Sequence, residues 1–524
     1  MTSYNASETR PRVVVVGNGM AGSRVVEELR AHDPRHLLAV TVLGEEEHGA
    51  YNRVLLSEVL AGRHRAEDIR LGATGWHEAH DVDLRLGHRV ARVDRVSREV
   101  VVDDGARVPY DVLVLATGSR PVLPGVDGLA GPDGSLLPGA FAFRTLDDCD
   151  RILAGLAERP VRRAVVLGGG LLGLEAARGL AGRGIDVVVV HAVRHLMERQ
   201  LDPAAGGVLR RTLRGLGVSV RLGATTTGVV HGPDGAFAGV RLDDGSVVLA
   251  DLLVVACGVR PETALAADAG LAVDRGIVVD DTLRSVTDPR VFALGECAQH
   301  DGQVYGLVAP AWEQAAVVAA QVTGQDPSLR YPGSRTVTRL KAAGVDLAAM
   351  GESTADSEAL LDQPGVEVVQ LSDPARGTYG KLVVRDGRLT GAILVGAPAA
   401  VPAVTQLYDR GGPLPPDRTS LLLGPRRGAV AAVADSPERM PAAATVCRCN
   451  GVTKGRIQDA VLDGARSTSE VAATTRATTG CGGCRDAVDG IVGWLLAAGA
   501  ADPAPDGPEK ASTATTSALT GRTA

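Results

Sequence analysis

The run Arg12–Val16, apolar from Val13 on, is closed by the glycine-rich stretch Gly17–Gly22; the stretch Ser23–Ala31 and a second run, Leu37–Leu43, follow. That order predicts strand, tight turn, helix and strand, one β-α-β unit. The same pattern returns at 162–190, with Ala164–Leu167 as strand, Gly168–Gly173 as turn, Leu174–Arg183 as helix and Ile185–Val190 as the next strand. Two short apolar runs, Leu113–Ala116 ending in Thr117-Gly118 and Leu252–Ala256 ending in Cys257-Gly258, follow the two units at corresponding places. The chain therefore reads as internally duplicated and α/β in class. Beyond about 330 the texture changes to α+β, with Thr336–Leu340, Val366–Leu371, Lys381–Val384 and Ala392–Val395 as candidate strands over residues 330–405. Residues 406–444 are rich in Pro, Gly, Arg and Ala without a sustained period and are expected to form a linker crossing another domain's surface. A cysteine-bearing unit occupies 445–500, and the polar, low-complexity stretch 501–524 is expected to be a disordered tail.

At 524 residues the chain is long enough for three or four domains at about 150 residues each. Lys and Arg number 55 against 62 Asp and Glu, a formal charge of -7, and aromatics make up 3%. Such a chain neither attracts phosphate polymers nor offers base-stacking platforms, so nucleic acid is excluded as a first expectation. The opening residues MTSYNASETRPR contain no apolar core of a signal peptide, and even Ala309–Val322 is interrupted by Glu313 and Gln314. A cytoplasmic protein with no membrane segment is expected.

In each glycine turn the spacing is G-x-G-x-x-G. Gly17 allows the tight turn, Gly19 lets the backbone approach a pyrophosphate, and Gly22 lets helix and strand pack closely; Gly168, Gly170 and Gly173 repeat the set. Glu45, directly after the second strand, can accept hydrogen bonds from a ribose diol. The corresponding residue of the second unit is His191, where an acidic side chain would favour NADH; Arg194 could take a 2′-phosphate, so both nucleotides stay open. A solvated loop is the alternative reading of His191 and Arg194.

Seven cysteines divide into three scattered ones, Cys149, Cys257 and Cys297, and two close pairs, Cys447/Cys449 and Cys481/Cys484. Four thiolates from two tight loops suit zinc or an iron-sulfur cluster. Glycines at 480, 482 and 483 allow peptide N–H groups to turn towards sulfur. Beside two dinucleotide units a redox cluster has a use, so the iron-sulfur reading is preferred. No Ser-His-Asp set or H-E-x-x-H motif is present, and no catalytic side chain is singled out.

Tyr110–Pro121 and Val291–Ala298 resemble the two further flavin signatures of the glutathione-reductase-like flavoprotein superfamily. The resemblance implies FAD in the first unit, on Gly17, Gly19, Gly22, Glu45, Thr117, Gly118, Gly295 and Glu296, and NAD(P)H in the second, with Gly258 also beside it. The implied division is a discontinuous FAD domain, 11–125 and 251–328, and an NAD(P) domain, 126–250. Where the superfamily has Gly-Asp, this chain has Gly295-Glu296, one methylene longer. No C-x-x-C or C-x-x-x-x-C occurs before residue 447, which removes the usual thiol shuttle of disulfide-reducing members. Cys149, Cys257 and Cys297 then read as packing residues. Residues 446–496 resemble bacterioferritin-associated-ferredoxin-like [2Fe-2S] domains, which implies a small helical module with a cluster on Cys447, Cys449, Cys481 and Cys484.

Four further segments, Ala50–Ser57, Leu196–Asp202, Gly295-Glu296-Cys297 and Gly306–Pro310, are similar to the amino-terminal half of the large subunit of assimilatory NAD(P)H nitrite reductase and to the electron-transfer subunit of assimilatory nitrate reductase. The likeness spans about 12–496. It implies that Arg53 reaches the flavin pyrophosphate region and that Gly306–Pro310 lies by the flavin ring. The sirohaem half of the nitrite reductase subunit has no counterpart motif here, so an electron-transfer component is expected. It would pass electrons from a nicotinamide donor through FAD, which takes a hydride and releases single electrons, and a [2Fe-2S] cluster to a protein acceptor. The expected acceptor is the catalytic subunit of molybdenum-dependent nitrate reductase; a split nitrite reductase, an amine or amino-acid dehydrogenase flavin subunit, and a zinc-stabilised nucleotide-binding scaffold are the alternatives.

Overall fold

A computed structural model describes residues 10–232, 235–354, 363–423, 437–480 and 482–501. The chain divides into two compact units, Met1–Asp435 with Arg448–Gly451, and Ser436–Cys447 with Val452–Ala524.

The larger unit is built on two five-stranded parallel sheets with the same plan. In the first, the order is Val291–Ala293, Val112–Leu115, Arg12–Val16, Ala39–Leu43, Val82–Arg85. In the second it is Val218–Leu222, Asp186–His191, Arg163–Leu167, Leu252–Val255, Ala140–Ala142. The registers match as well. Val13 pairs with Val40 and Val112, and Ala164 pairs with Val187 and Leu252. Central strands of this kind are covered on both faces, so they are continuously apolar: Val13, Val15, Leu113, Val165 and Val166 are wholly buried. Helices Met20–His32 and Leu171–Gly182 make the two crossovers.

The duplication goes further than the sequence pattern indicates. Each unit inserts a three-stranded antiparallel sheet before its returning strand: Val90–Asp94, Glu99–Val102 and Arg107–Pro109 in the first, Thr226–His231, Phe237–Leu242 and Val247–Leu249 in the second. One expected boundary moves. Leu252–Val255 pairs in parallel with Ala164–Leu167, so this stretch belongs to the second sheet and not, as the 250/251 division had it, to the first domain. The chain recrosses through Val259–Pro261, antiparallel to Ser119–Pro121.

The α+β expectation for 330–405 corresponds to a five-stranded antiparallel sheet in the order Val337–Arg339, Leu347–Gly351, Arg388–Val395, Thr378–Arg385, Val366–Asp373. The expected linker starts too early at 406, because helix Val401–Arg410 runs through that point with Val404 and Tyr408 buried against the sheet. Leu414 and Leu422 enter the same core, so 411–423 is packed chain.

The smaller unit is helical, as expected. A short hairpin, Thr445–Cys447 with Val452–Thr453, precedes helices Lys454–Leu462, Thr468–Thr475 and Arg485–Ala501. Thr453 and Ser467 cap the first two by accepting from the Arg456 and Glu470 amides, and Ile457, Val471, Val488 and Ile491 form the core. The tail expected at 501–524 falls, after Ala501, outside the described residues. Among the described residues no helix is long and apolar enough to cross a membrane.

Candidate functional site

In the first glycine turn the backbone leaves no room for side chains on its protein side. Gly17 has φ +106°, and a Cβ there would stand 2.3 Å from the Ala116 carbonyl oxygen; a Cβ on Gly22 would stand 1.8 Å from that of Gly17. At Gly19 the nearest atom is Arg53 Nε, 3.8 Å away, so this glycine faces a guanidinium and otherwise open space. Arg53 pairs with Glu46 and lies over the Tyr51 ring, whose hydroxyl donates to the other Glu46 oxygen at 2.7 Å. Both amide atoms of Asn18, the Asn52 Nδ2 and the Arg144 Nε are buried without a hydrogen-bond partner. Such atoms beside an open glycine fit the phosphates and hydroxyls of a dinucleotide.

Glu45 stands exposed just past Ala39–Leu43 and reaches Arg120 at 3.3 Å and Arg89 at 3.5 Å. Thr117 donates to the Glu262 carbonyl at 2.8 Å and so ties the recrossing chain to the turn at Gly118, φ +69°. Gly295, φ +77°, donates its N–H to Gln314 Oε1 at 2.7 Å; a Cβ on it would meet Ala21 at 2.8 Å. One oxygen of Glu296 takes both the Ser119 hydroxyl, at 2.6 Å, and the Arg144 guanidinium. Gly306 lies against the other, with an ideal Cβ 3.3 Å from Glu296 Oε1, which brings Gly306–Pro310 to this carboxylate. Cys297 is buried, its thiol against the Leu115 and Leu294 carbonyls, and burial pushes its pKa up. Sequence reasoning missed Glu46, Arg144 and Gln314. Each lies outside the signature that its partner belongs to, and only the fold brings them in.

The second turn repeats the first. Gly168 has φ +113° with the Ala256 carbonyl oxygen 2.2 Å from its ideal Cβ, Gly173 would meet Gly168 O at 2.1 Å, and Gly170 has nothing within 4 Å. Gly258, φ +99°, is equally open. His191 is buried beneath the turn, where Nδ1 accepts the Gly169 N–H at 3.1 Å and Nε2 faces Glu198 Oε2 at 3.1 Å. Arg194 is exposed and lies along Gly223, just past the neighbouring strand. The structure thus brings His191 to the turn and leaves Arg194 further out.

The helix that follows the second turn carries a buried carboxylate. Glu175, on helix Leu171–Gly182, accepts from the Ser57 hydroxyl at 3.2 Å and the Lys341 amide at 3.1 Å, while the Lys341 ammonium donates to the Val54 carbonyl at 2.8 Å. Burial raises the Glu175 pKa, and the Lys341 charge opposes the rise.

Cys447 ends a hairpin strand and is buried, Cys449 in the hairpin's turn is partly exposed, and Cys484 immediately precedes helix Arg485–Ala501. Cys481 lies outside the described residues. Among the described residues no three His, Cys, Asp or Glu side chains stand together as a metal site. The donor set itself, four thiols in two close pairs, has the chemistry of an iron-sulfur site.

Comparison with known proteins identifies the architecture. Residues 11–316 match the family described as pyridine nucleotide-disulphide oxidoreductase. The chain belongs to this family. Residues 337–409 match the rubredoxin NAD+ reductase C-terminal domain and residues 445–494 the BFD-like [2Fe-2S] binding domain. The NAD(P)H nitrite reductase of Bacillus subtilis is 38% identical over 93% of this chain and 58% of its own length; the assimilatory nitrate reductase electron transfer subunit of the same organism is 36% identical over 93% and 60%. The chain therefore spans about three fifths of the length of these curated relatives. Among solved structures, the covalent putidaredoxin reductase-putidaredoxin complex superposes with a TM-score of 0.70 at 27% identity, covering 79% of this chain and 96% of that one.

The chain is thus an NAD(P)H-dependent flavoprotein oxidoreductase of that family with a [2Fe-2S] domain. FAD supplies the change from hydride to single electrons, and the cluster carries electrons singly. The protein's share is a pair of matched glycine turns, the Arg53, Arg144 and Glu296 charges at the first, and four cysteine thiols.

Proposed function

We propose that this chain is the electron-transfer component of an assimilatory nitrate reductase, taking electrons from NAD(P)H through FAD and the [2Fe-2S] cluster to a separate molybdenum-dependent catalytic subunit in the cytoplasm. The FAD would lie on the first turn with Gly17, Gly19, Gly22, Glu45, Arg53, Thr117, Gly118, Gly295 and Glu296. The nicotinamide nucleotide would lie on the second with Gly168, Gly170, Gly173, His191, Arg194 and Gly258, and the cluster on Cys447, Cys449, Cys481 and Cys484. The reading is carried by one combination: two complete dinucleotide turns and a four-cysteine module in a chain with no close cysteine pair before residue 447. Electrons taken from a nicotinamide then leave through the cluster and not through a flavin-side dithiol. Likeness over 93% of the chain to a nitrate reductase electron transfer subunit supports this acceptor.

The 38% identity to a nitrite reductase favours a second reading in the same class, delivery to a sirohaem protein. The complete second glycine turn argues against an amine or amino-acid dehydrogenase. Flavin-loaded, cluster-loaded protein mixed with the nitrate reductase catalytic subunit is expected to give NADH- or NADPH-driven nitrate reduction. Nitrite reduction with a sirohaem partner, and none of nitrate, would move the assignment to the second reading; bleaching of the flavin by an amino acid and not by either nucleotide would overturn both.

A further inference from the structure

The end of strand Asp186–His191 is where a dinucleotide unit ordinarily presents an acidic residue to the adenosine ribose. Here it presents an imidazole that is already committed. A backbone N–H can only donate, so the 3.1 Å contact from Gly169 N makes His191 Nδ1 the acceptor and puts the ring proton on Nε2. That Nε2–H points at Glu198 Oε2, 3.1 Å away. The imidazole therefore links the glycine turn to a carboxylate seven residues further on.

The loop that carries Glu198 is fastened to the same turn from the other side. The Met197 N–H donates to the Gly169 carbonyl at 3.0 Å, and the Gln200 and Leu201 amides both donate to the Met197 carbonyl, at 2.8 and 2.9 Å. Met197 takes φ +52°, a left-handed conformation that a non-glycine residue adopts at a cost, with its side chain and that of Leu196 buried. Directly after these buried neighbours, the Glu198 side chain keeps 35% of its surface exposed. A ligand can therefore reach it. Arg194, the basic residue placed to welcome a 2′-phosphate, instead lies along Gly223, its Cγ 3.8 Å from that glycine's ideal Cβ.

We propose that Glu198, oriented by His191, accepts the adenosine-ribose hydroxyls of the nicotinamide nucleotide and makes the enzyme select NADH over NADPH. The inference rests on the second glycine turn holding that nucleotide. A carboxylate held by one imidazole N–H has lone pairs left for both hydroxyls of a ribose diol. The same charge repels a 2′-phosphate, so affinity for one nucleotide and rejection of the other come from one side chain. His191 is the positioning residue: it touches Glu198 and the turn.

The test uses the full-length, flavin-loaded protein and two nicotinamide-free fragments that differ only at the ribose 2′ position, ADP-ribose and 2′-phospho-ADP-ribose, with calorimetric Kd values for each. The wild type is expected to bind ADP-ribose at least about tenfold more tightly, the size of a hydrogen bond to a charged acceptor. E198Q is expected to weaken ADP-ribose, strengthen the phosphorylated fragment and bring the ratio near one. H191F is expected to weaken ADP-ribose with Glu198 present and to add nothing when combined with E198A, a non-additivity that a merely structural role for His191 would not produce. Retained flavin absorbance shows that each variant is folded. Tighter wild-type binding of the phosphorylated fragment, or a ratio unchanged in E198Q, overturns the assignment of Glu198 alone. Binding of neither fragment to wild-type protein would overturn the nucleotide site itself and the inference with it.

Discussion

Glu296 and Arg144 are 152 positions apart in sequence, yet the Glu296 carboxylate takes the Arg144 guanidinium and the Ser119 hydroxyl on one oxygen, and Arg144 also donates to that hydroxyl at 2.7 Å. The two charged side chains are 18% and 22% exposed, so neither is freely solvated. The longer carboxylate of Gly295-Glu296 is thus used: it reaches an arginine. E296Q keeps an acceptor for Ser119 but leaves the Arg144 charge unbalanced. It is expected to lower stability by about 1–3 kcal/mol at pH 7. Pairing it with R144M should cost less than the sum of the two single changes. Urea unfolding of the four proteins of that cycle measures the coupling.

The two glycine turns should fail separately. A methyl on Gly22 would stand 1.8 Å from the Gly17 carbonyl oxygen, and one on Gly173 would stand 2.1 Å from that of Gly168. Neither backbone can yield without opening its strand-helix junction. G22A is expected to purify with little or no flavin absorbance. G173A is expected to keep its flavin bands and to need at least about tenfold more nucleotide to bleach them, the loss of one or two phosphate hydrogen bonds. An anaerobic titration watched in the visible spectrum separates the two.

The glycine turns were legible because a tight turn, a close approach and a packed junction each require glycine at a fixed spacing, and the strands around them because burial on both faces writes them as unbroken apolar runs. The helical cysteine module was legible by its thiols. Arg144, Gln314 and Glu46 were not, since each meets its partner only after the sheet has formed, across 152, 19 and 7 positions respectively. The same holds for the boundary after Leu252–Val255. An apolar run announces a buried strand but not which of two similar sheets it joins. His191 was found by position, whereas its bond to the turn and to Glu198 depends on ring orientation, which no spacing encodes.

Glu175 gives a pH dependence with a definite sign. Burial raises its pKa in the folded protein above the value in the unfolded chain, with Lys341 only partly offsetting the effect. As pH rises from the unfolded carboxyl range through the folded value, the unfolded chain loses its proton first, and stability falls. Below that window there is no penalty. E175Q keeps one oxygen for the Lys341 amide, turns its Nε2 to donate to the Ser57 hydroxyl, and has no charge to bury. It is expected to be more stable than wild type at pH 8, with the gain shrinking to nothing near pH 4. Denaturant midpoints at the two pH values check the sign; a variant less stable than wild type at pH 8 and equal to it at pH 4 would show that the carboxylate is stabilised as the anion.

Six of the seven cysteines should divide cleanly by chemistry. Cys149 is buried with its thiol against the Leu56 carbonyl, and burial pushes its pKa up to about 12. At neutral pH it holds its proton and packs as a small apolar side chain. Cys297 is likewise buried with a raised pKa, its sulfur against the Leu115 and Leu294 carbonyls. C149A and C297A are therefore expected to leave iron and acid-labile sulfide at two per chain and to show their cost in thermal unfolding, about 1–2 kcal/mol for a small packing defect. Serine at Cys447, Cys449, Cys481 or Cys484 is expected to do the reverse. Iron content and the cluster's visible absorbance fall while the flavin bands stay, because none of the four positions lies in the glycine turns or beside the Arg53, Arg144 and Glu296 charges. If zinc, not iron, copurified stoichiometrically with the wild type and was lost from the same four variants, the module would be structural, and electrons would have to leave from the flavin directly.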